Sequence, residues 1–285
     1  MSERIPVPGV ILIMSCQPLF RRRFEKHNPG LRAIEGWPIV YCVADPRLDR
    51  PFLLQRSSSH TVGDLLIIRS EDGYIHLLKK LSLACSALGE LYAIQNGILK
   101  LGDDIFINMR LVPPFLRDIP KKDFIGHNYG SASFDPNGKS FVSPYVDDDT
   151  SMLAYYSSRP SEAVHPDRGL GGRDISKMTR RHRVPACGVG TAIYLSNLAI
   201  DVLRRELESI NYDIFTMDKK TGAHDYIIED VGLAFVLFKH GLAFTDHPTF
   251  FANTSDPLPT HLFSHTAIQG HDIVPKSRVK LDMVS

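Results

Sequence analysis

Ile98-Leu99-Lys100-Leu101-Gly102-Asp103-Asp104 is the stretch on which the reading of this chain turns. A short, mostly apolar strand runs directly into two adjacent carboxylates. In an open α/β sheet, ligands bind beyond the carboxyl ends of the strands, and residues that follow a strand directly project from that edge. Two carboxylates there suit a hard divalent cation, which prefers oxygen ligands and commonly bridges to substrate phosphates. A solvated acidic turn is the competing reading of the same pair. Asp147-Asp148-Asp149 is a longer acidic run, but no apolar strand leads into it, and a solvated loop suits it better.

The sequence before the acidic pair supports the sheet. Val10–Met14, Ile39–Ala44 and Asp64–Ile68 are short apolar runs closed by Ser, Pro or Asp, as buried parallel strands are. Residues 21–31 are charged and suit a helix between the first two strands. From Tyr74 to Gln95 the spacing turns helical, with Leu77, Leu78, Leu81, Ala84, Cys85, Leu88 and Leu91 recurring at three- and four-residue steps. Asn96-Gly97 is the expected stop.

Beyond the pair the texture changes. Residues 129–183 are rich in Ser, Gly, Pro, Asp and Arg and read as long surface loops, expected to tighten on ligand binding. A strand is expected at 192–195. Ser196 should cap a helix over 198–209, and a further helix should cover 230–240 with Gly241 as its stop. The tail after Phe250 reads as loop. There is no internal repeat.

Composition narrows the function classes. Lys plus Arg is 33 against 32 for Asp plus Glu, a formal net charge of +1, so the chain lacks the basic excess of a general nucleic-acid binder. The 285 residues are 43% hydrophobic and 23% charged, which is globular rather than disordered. No apolar run approaches the roughly 18 residues of a membrane span. Cys16, Cys42, Cys85 and Cys187 show no CxxC spacing and read as free thiols of a reducing compartment.

The ordered blocks resemble the family-31 glycosyltransferases: the β1,3-galactosyl- and N-acetylglucosaminyltransferases and their Fringe relatives. The matching blocks are Ile11–Ser15 followed by Arg21-Arg22-Arg23, then Ile39–Val43, Gly63–Leu66, and Asp72-Gly73-Tyr74 with Leu77 and Lys80. Lys100–Asn108, Cys187–Ser196 and Glu229-Asp230-Val231-Gly232 follow in the same order. Gly102 departs from the family pattern, which has a third Asp there. Gly232 follows Val231 sooner than the pattern does.

The resemblance implies a single-domain GT-A-type fold, a Rossmann-like mixed sheet flanked by helices. Residues 10–108 would form the nucleotide-sugar half and 109–285 the acceptor and catalytic-base half. It implies inverting transfer of a sugar from a UDP-sugar to a hydroxyl of a glycan acceptor, with Mn²⁺ or Mg²⁺ neutralising the diphosphate. Asp104 would be the direct metal ligand, with Asp103 on the ribose or a metal-bound water. Of two late histidines, His261 and His265, the latter is favoured as a further metal ligand, with a loop histidine that binds nothing as the competing reading.

On this resemblance donor binding would fall to Ser15, Arg21, Arg22, Tyr74, Lys80, Lys100, Asp103 and Gly190, while a solvated helix face for the arginines, a packing role for Tyr74 and a strand-entry turn at Gly190 are the competing readings. The base is Asp230, with Glu229 as the fallback; acidic residues at a helix start have their own electrostatic reason to be there. His224-Asp225 either lines the acceptor site or forms a turn. The alternative is a non-catalytic nucleotide-sugar or carbohydrate-binding protein on the same fold.

Family members usually sit in the Golgi behind an anchor. A chain whose native start is Met1 would instead be a cytoplasmic, anchor-less member of the kind that large DNA viruses or microbes encode; a trimmed one would belong to the Golgi lumen.

Overall fold

The computed structural model describes residues 3–16, 22–57, 63–72, 76–127, 160, 190–207, 229, 233–234, 236–237, 240–242, 244–254 and 257–266. Its strands are β1 (Ile5–Val7), β2 (Val10–Met14), β3 (Ala33–Ile34), β4 (Trp37–Ala44), β5 (Phe52–Gln55), β6 (Asp64–Ile68), β7 (Tyr92–Ile94), β8 (Gly97–Gly102), β9 (Ile105–Ile107), β10 (Phe124–Gly126), β11 (Ala192–Ser196), β12 (Phe244–Asp246), β13 (Phe251–Thr254) and β14 (Phe263–Thr266). Its helices are α1 (Arg22–His27), α2 (Leu77–Leu91), α3 (Val112–Arg117) and α4 (Asn197–Leu207).

The main sheet runs β12-β10-β11-β8-β2-β4-β6-β5, with β3 added on β4. Strands β8, β2, β4 and β6 are mutually parallel, and β5 and β11 flank them antiparallel. This is the mixed α/β sheet with flanking helices that the sequence predicts. It runs as one sheet across residue 108, since β11 pairs with β8 in register, Ala192 opposite Leu101.

Side-chain alternation makes a core on each face. Val10, Leu12, Val40, Cys42 and Leu66 pack with α2 and α4 on one side. Ile11, Ile13, Ile39, Tyr41, Leu65, Leu99 and Leu101 pack with Phe24, Trp37 and Phe250 on the other. Each fully buried aliphatic side chain stabilises the fold by about 1.5–3 kcal/mol. Buried on both faces, β2 shows no alternation in sequence, which is why it reads as a continuous apolar run.

Several expectations need correcting. Helix α1 stops at His27 rather than continuing to 31, because Asn28 precedes Pro29 and a proline disfavours helical backbone before it. Helix α2 ends at Leu91, and Tyr92–Ile94 leaves it as β7, paired with β1. Gly97 is no helix cap. It opens β8 at φ 153°, where a Cβ would lie 2.1 Å from the Leu195 carbonyl oxygen, so its role is close strand approach. The tail after Phe250 is not loop throughout: β13 and β14 pair with each other, and β14 pairs with β9.

Other expectations hold. Ser196 Oγ accepts the Ala199 N–H at 3.2 Å, the cap foreseen for α4. Glu229, Leu233, Ala234, Val236 and Leu237 occupy helical positions. Gly241, at φ 74°, ends that run with the Leu242 N–H on the Leu237 carbonyl at 3.0 Å. Of residues 129–183 only 160 is described; Asp147–Asp149 and Cys187 lie outside the described residues. Among the described residues no helix is long and apolar enough to cross a membrane.

Cys42 and Cys85 are buried thiols, and neither they nor Cys16 are in a disulfide. Burial pushes Cys42 and Cys85 up to about 12 from an ordinary 9.0; Lys80 opposes this at Cys42, and Arg204 opposes it at Cys85. The unfolded thiols therefore ionise first, so stability is full below about pH 9 and falls as pH rises toward about 12. Neither thiol should react with an alkylating reagent in the native protein at about pH 8, where both are protonated. The urea midpoint should be lower at about pH 10 than at about pH 8. Mass-spectrometric labelling and two urea titrations check this; native alkylation of Cys85 would contradict it.

Candidate functional site

Chain order within the parallel core places the site. From β2 the chain moves through β4 to β6 on one side, then returns with β8 on the other side of β2. Strands β2 and β8 therefore flank a topological switch point, where an open α/β sheet leaves a crevice beyond its carboxyl ends. Ser15 follows β2 and Asp103 follows β8. They meet there, Ser15 Oγ donating to Asp103 Oδ2 at 2.6 Å. Both are buried.

Asp104 points elsewhere. His265 Nε2 lies 2.9 Å from Asp104 Oδ2, and both side chains remain partly exposed, 29% and 24%. The β9–β14 ladder brings them together. It sets His265 opposite Ile105, beside the acidic turn, across 161 residues of chain. The His265 ring stacks on Phe251, with centroids 6.5 Å apart and planes at 30°. His261 is held differently: its Nδ1 lies 3.0 Å from Thr260 Oγ1, and its carbonyl accepts from Asn108 Nδ2 at 3.1 Å.

Asp104 and His265 offer an oxygen and a nitrogen donor on a partly open surface, a partial shell for a divalent cation that keeps waters and takes other ligands from a diphosphate. Among the described residues no third His, Cys, Asp or Glu completes a metal-holding group. His27 is within electrostatic reach. Burial, then Lys26, lowers its pKa, while Asp104 opposes them.

The two lysines expected at the donor, Lys80 and Lys100, are buried. Lys80 on α2 is 1% exposed; its ammonium bonds the Ser15 carbonyl and lies 2.5 Å from Asp72 Oδ1. Burial alone would lower its pKa, but Asp72 above all outweighs that and the net shift is upward. Lys100 is 4% exposed because alternation along β8 turns it away from Leu99 and Leu101. It bonds the Gly190 carbonyl and faces both Glu229 oxygens, at 2.9 and 3.0 Å. Ser15, Lys80 and Asp103 are thus linked in one set, and Lys100, Gly190 and Glu229 in another. Arg22 opens α1. Arg21, Tyr74, His224, Asp225 and Asp230 lie outside the described residues.

Asn28 and Asn108 escaped the sequence reading. Asn28 Nδ2 donates to the Ile105 carbonyl at 2.7 Å and its Oδ1 accepts the Ile107 N–H at 2.8 Å, so one side chain pairs the free edge of β9. Asn108 Nδ2 ties β9 to the Pro259 and His261 carbonyls, both at 3.1 Å. The only signal was the Asn28-Pro29-Gly30 turn for the first and a block-terminal Asn for the second.

No family model matches this sequence, and no curated protein matches it. Among solved structures, it is similar to a glycosyltransferase involved in the glycosylation of the major capsid of PBCV-1. That likeness has 10% identity and a TM-score of 0.41, over 92% of this chain and 95% of that one. At this level it decides nothing about the chemistry of the present chain.

Gly102 has a specific spatial role. A Cβ there would sit 2.9 Å from Asp104 Oδ1 and 3.2 Å from Thr191 Cγ2. Gly102→Ala should therefore move the Asp104 carboxylate off His265. In side-chain NMR spectra the His265 ring signals of Gly102→Ala should shift toward those of Asp104→Asn. Unchanged signals would mean that position 102 has room for a side chain.

Proposed function

We propose that the protein is a metal-dependent, inverting glycosyltransferase that moves a sugar from a UDP-sugar to a hydroxyl of a glycan acceptor. The observation that carries this is the acidic turn at the β2/β8 switch point, with Ser15 on Asp103 and His265 on Asp104. On this reading the sheet is of the GT-A type.

The division of labour follows from the contacts. Ser15 donates to one oxygen of Asp103 and helps fix the plane of the carboxylate, the group this proposal assigns to the ribose hydroxyls. Asp104 and His265 are the residues that would hold the cation, whose contribution is to offset the charge of the departing diphosphate. The base must lie opposite the leaving group and accept the acceptor hydroxyl's proton as that oxygen attacks the anomeric carbon. Both Glu229 oxygens face Lys100 in a buried pair, so Glu229 is poorly suited to take a proton. Asp230, its neighbour in sequence, is therefore the base of this proposal.

A non-catalytic reading would rest on Gly102, which stands where the resembling family has a third Asp. Its lack of a side chain leaves Asp104 the space it uses against His265, so the missing third acid no longer favours that alternative. The deciding assay is hydrolysis and transfer from a panel of UDP-sugars with Mn²⁺. Wild type should turn over at least one donor. Asp104→Ala and Asp230→Asn should each lose on the order of 100-fold or more in kcat. UDP binding without turnover of any sugar nucleotide would sink the enzyme reading and leave the binding protein.

A further inference from the structure

Ser15 is pinned at every polar atom. Its N–H donates to the Cys42 carbonyl at 3.1 Å, which extends the β2–β4 ladder by one residue. Its carbonyl accepts from Lys80. Its hydroxyl donates to Asp103 at 2.6 Å. Lys80 is in turn fixed by Asp72 at 2.5 Å. The line Asp72–Lys80–Ser15–Asp103 joins the approach to α2, α2 itself, the end of β2 and the end of β8. It runs through groups that are 12%, 1%, 6% and 7% exposed.

We propose that Lys80 and Asp72 are positioning residues that act through Ser15 to set the orientation of the Asp103 carboxylate toward a nucleotide. The proposal rests on the ligand reading above but assigns Lys80 a different part from direct donor contact. An ammonium 1% exposed and committed to Ser15 and Asp72 does not meet a ligand in the crevice. What it does is fix the Ser15 backbone, and with it the reach of a hydroxyl whose side chain has one rotatable bond. A serine released at its carbonyl could swing that hydroxyl away, and Asp103 would then lose the 2.6 Å hydrogen bond that helps orient its carboxylate. The alternative is that the Lys80–Asp72 pair only fastens α2 to the sheet.

Two measurements separate these. Without any ligand, the Asp103 carboxyl ¹³C signal in Lys80→Met should move in the direction that Ser15→Ala moves it. Asp72→Asn, which keeps the shape but removes the countercharge, provides the same comparison if Lys80→Met does not fold. With UDP and Mn²⁺ in calorimetric titrations, Ser15→Ala and Lys80→Met should each weaken binding by about 10-fold, the effect of one lost polar contact. Neither substitution should weaken it further in an Asp103→Asn background.

An Asp103 signal that stays in place in Lys80→Met or Asp72→Asn overturns the relay whatever UDP does. Losses that multiply with Asp103→Asn overturn it as well, because Lys80 would then act by another route. Wild-type protein that binds no UDP refutes the nucleotide reading alone; the carboxyl signal still decides the relay.

Discussion

Strands β2, β4, β6 and β8 are covered on both faces, and this constrains everything else in the molecule. Their central backbone groups are paired in the ladders, and nearly all of their side chains are buried. Polar chemistry is driven to the strand ends, and a charge within the layers must arrive with its partner. Lys80 and Lys100 obey this rule. Each brings a carboxylate, Asp72 or Glu229, and each uses a further donor on a backbone carbonyl at the crevice, Ser15 or Gly190. A buried ion pair adds little net stability over a well-packed apolar pair, while removing one partner costs about 3–5 kcal/mol. The two lysines are better understood as clamps on the edges of the crevice than as sources of stability.

Those clamps bracket a turn whose two acids do different jobs because they point in different directions. Asp103 turns inward to Ser15, and Asp104 turns outward to His265. Gly102 keeps the space beside Asp104 clear, while its own N–H is held by the Thr191 carbonyl at 2.8 Å. The local sequence contains all three residues, but the division of labour comes from β2, β11 and β14.

Legibility followed the range of the interactions. The parallel core could be read because five-residue apolar runs closed by turn residues carry their own signal; Val10–Met14 and Asp64–Ile68 fall where the sequence puts them. The edge strands could not. β5 and β12 are half-exposed and short, and their identity lies in the strand beside them. Tyr92 and Ile94 continue an apolar pattern that looks helical until β1 claims them as a strand. The β13–β14 pair was hidden for the same reason, since its partner β9 is far away in sequence. In the site, an apolar strand running into Asp103 and Asp104 was visible. That Lys80 and Lys100 are buried was not: spacing does not report depth, and the carboxylate that makes burial tolerable for Lys100 lies 129 residues away.

The ladder between β9 and β14 has a consequence for how such a chain can diversify. His265 reaches Asp104 by strand register, not by the path of the intervening chain. Successive side chains in a strand face opposite ways, so a one-residue slip would present Ser264 or Thr266 in its place. The length of chain between the two strands does not enter that condition, and lengthening a closed segment costs only about 0.6 kcal/mol per doubling. Insertions and deletions there leave the histidine's address unchanged as long as the ladder re-forms. Connecting segments between residues 108 and 263, outside the stretch 190–196, Glu229, its neighbour Asp230 and β13, can therefore change in length while the acidic turn keeps its histidine.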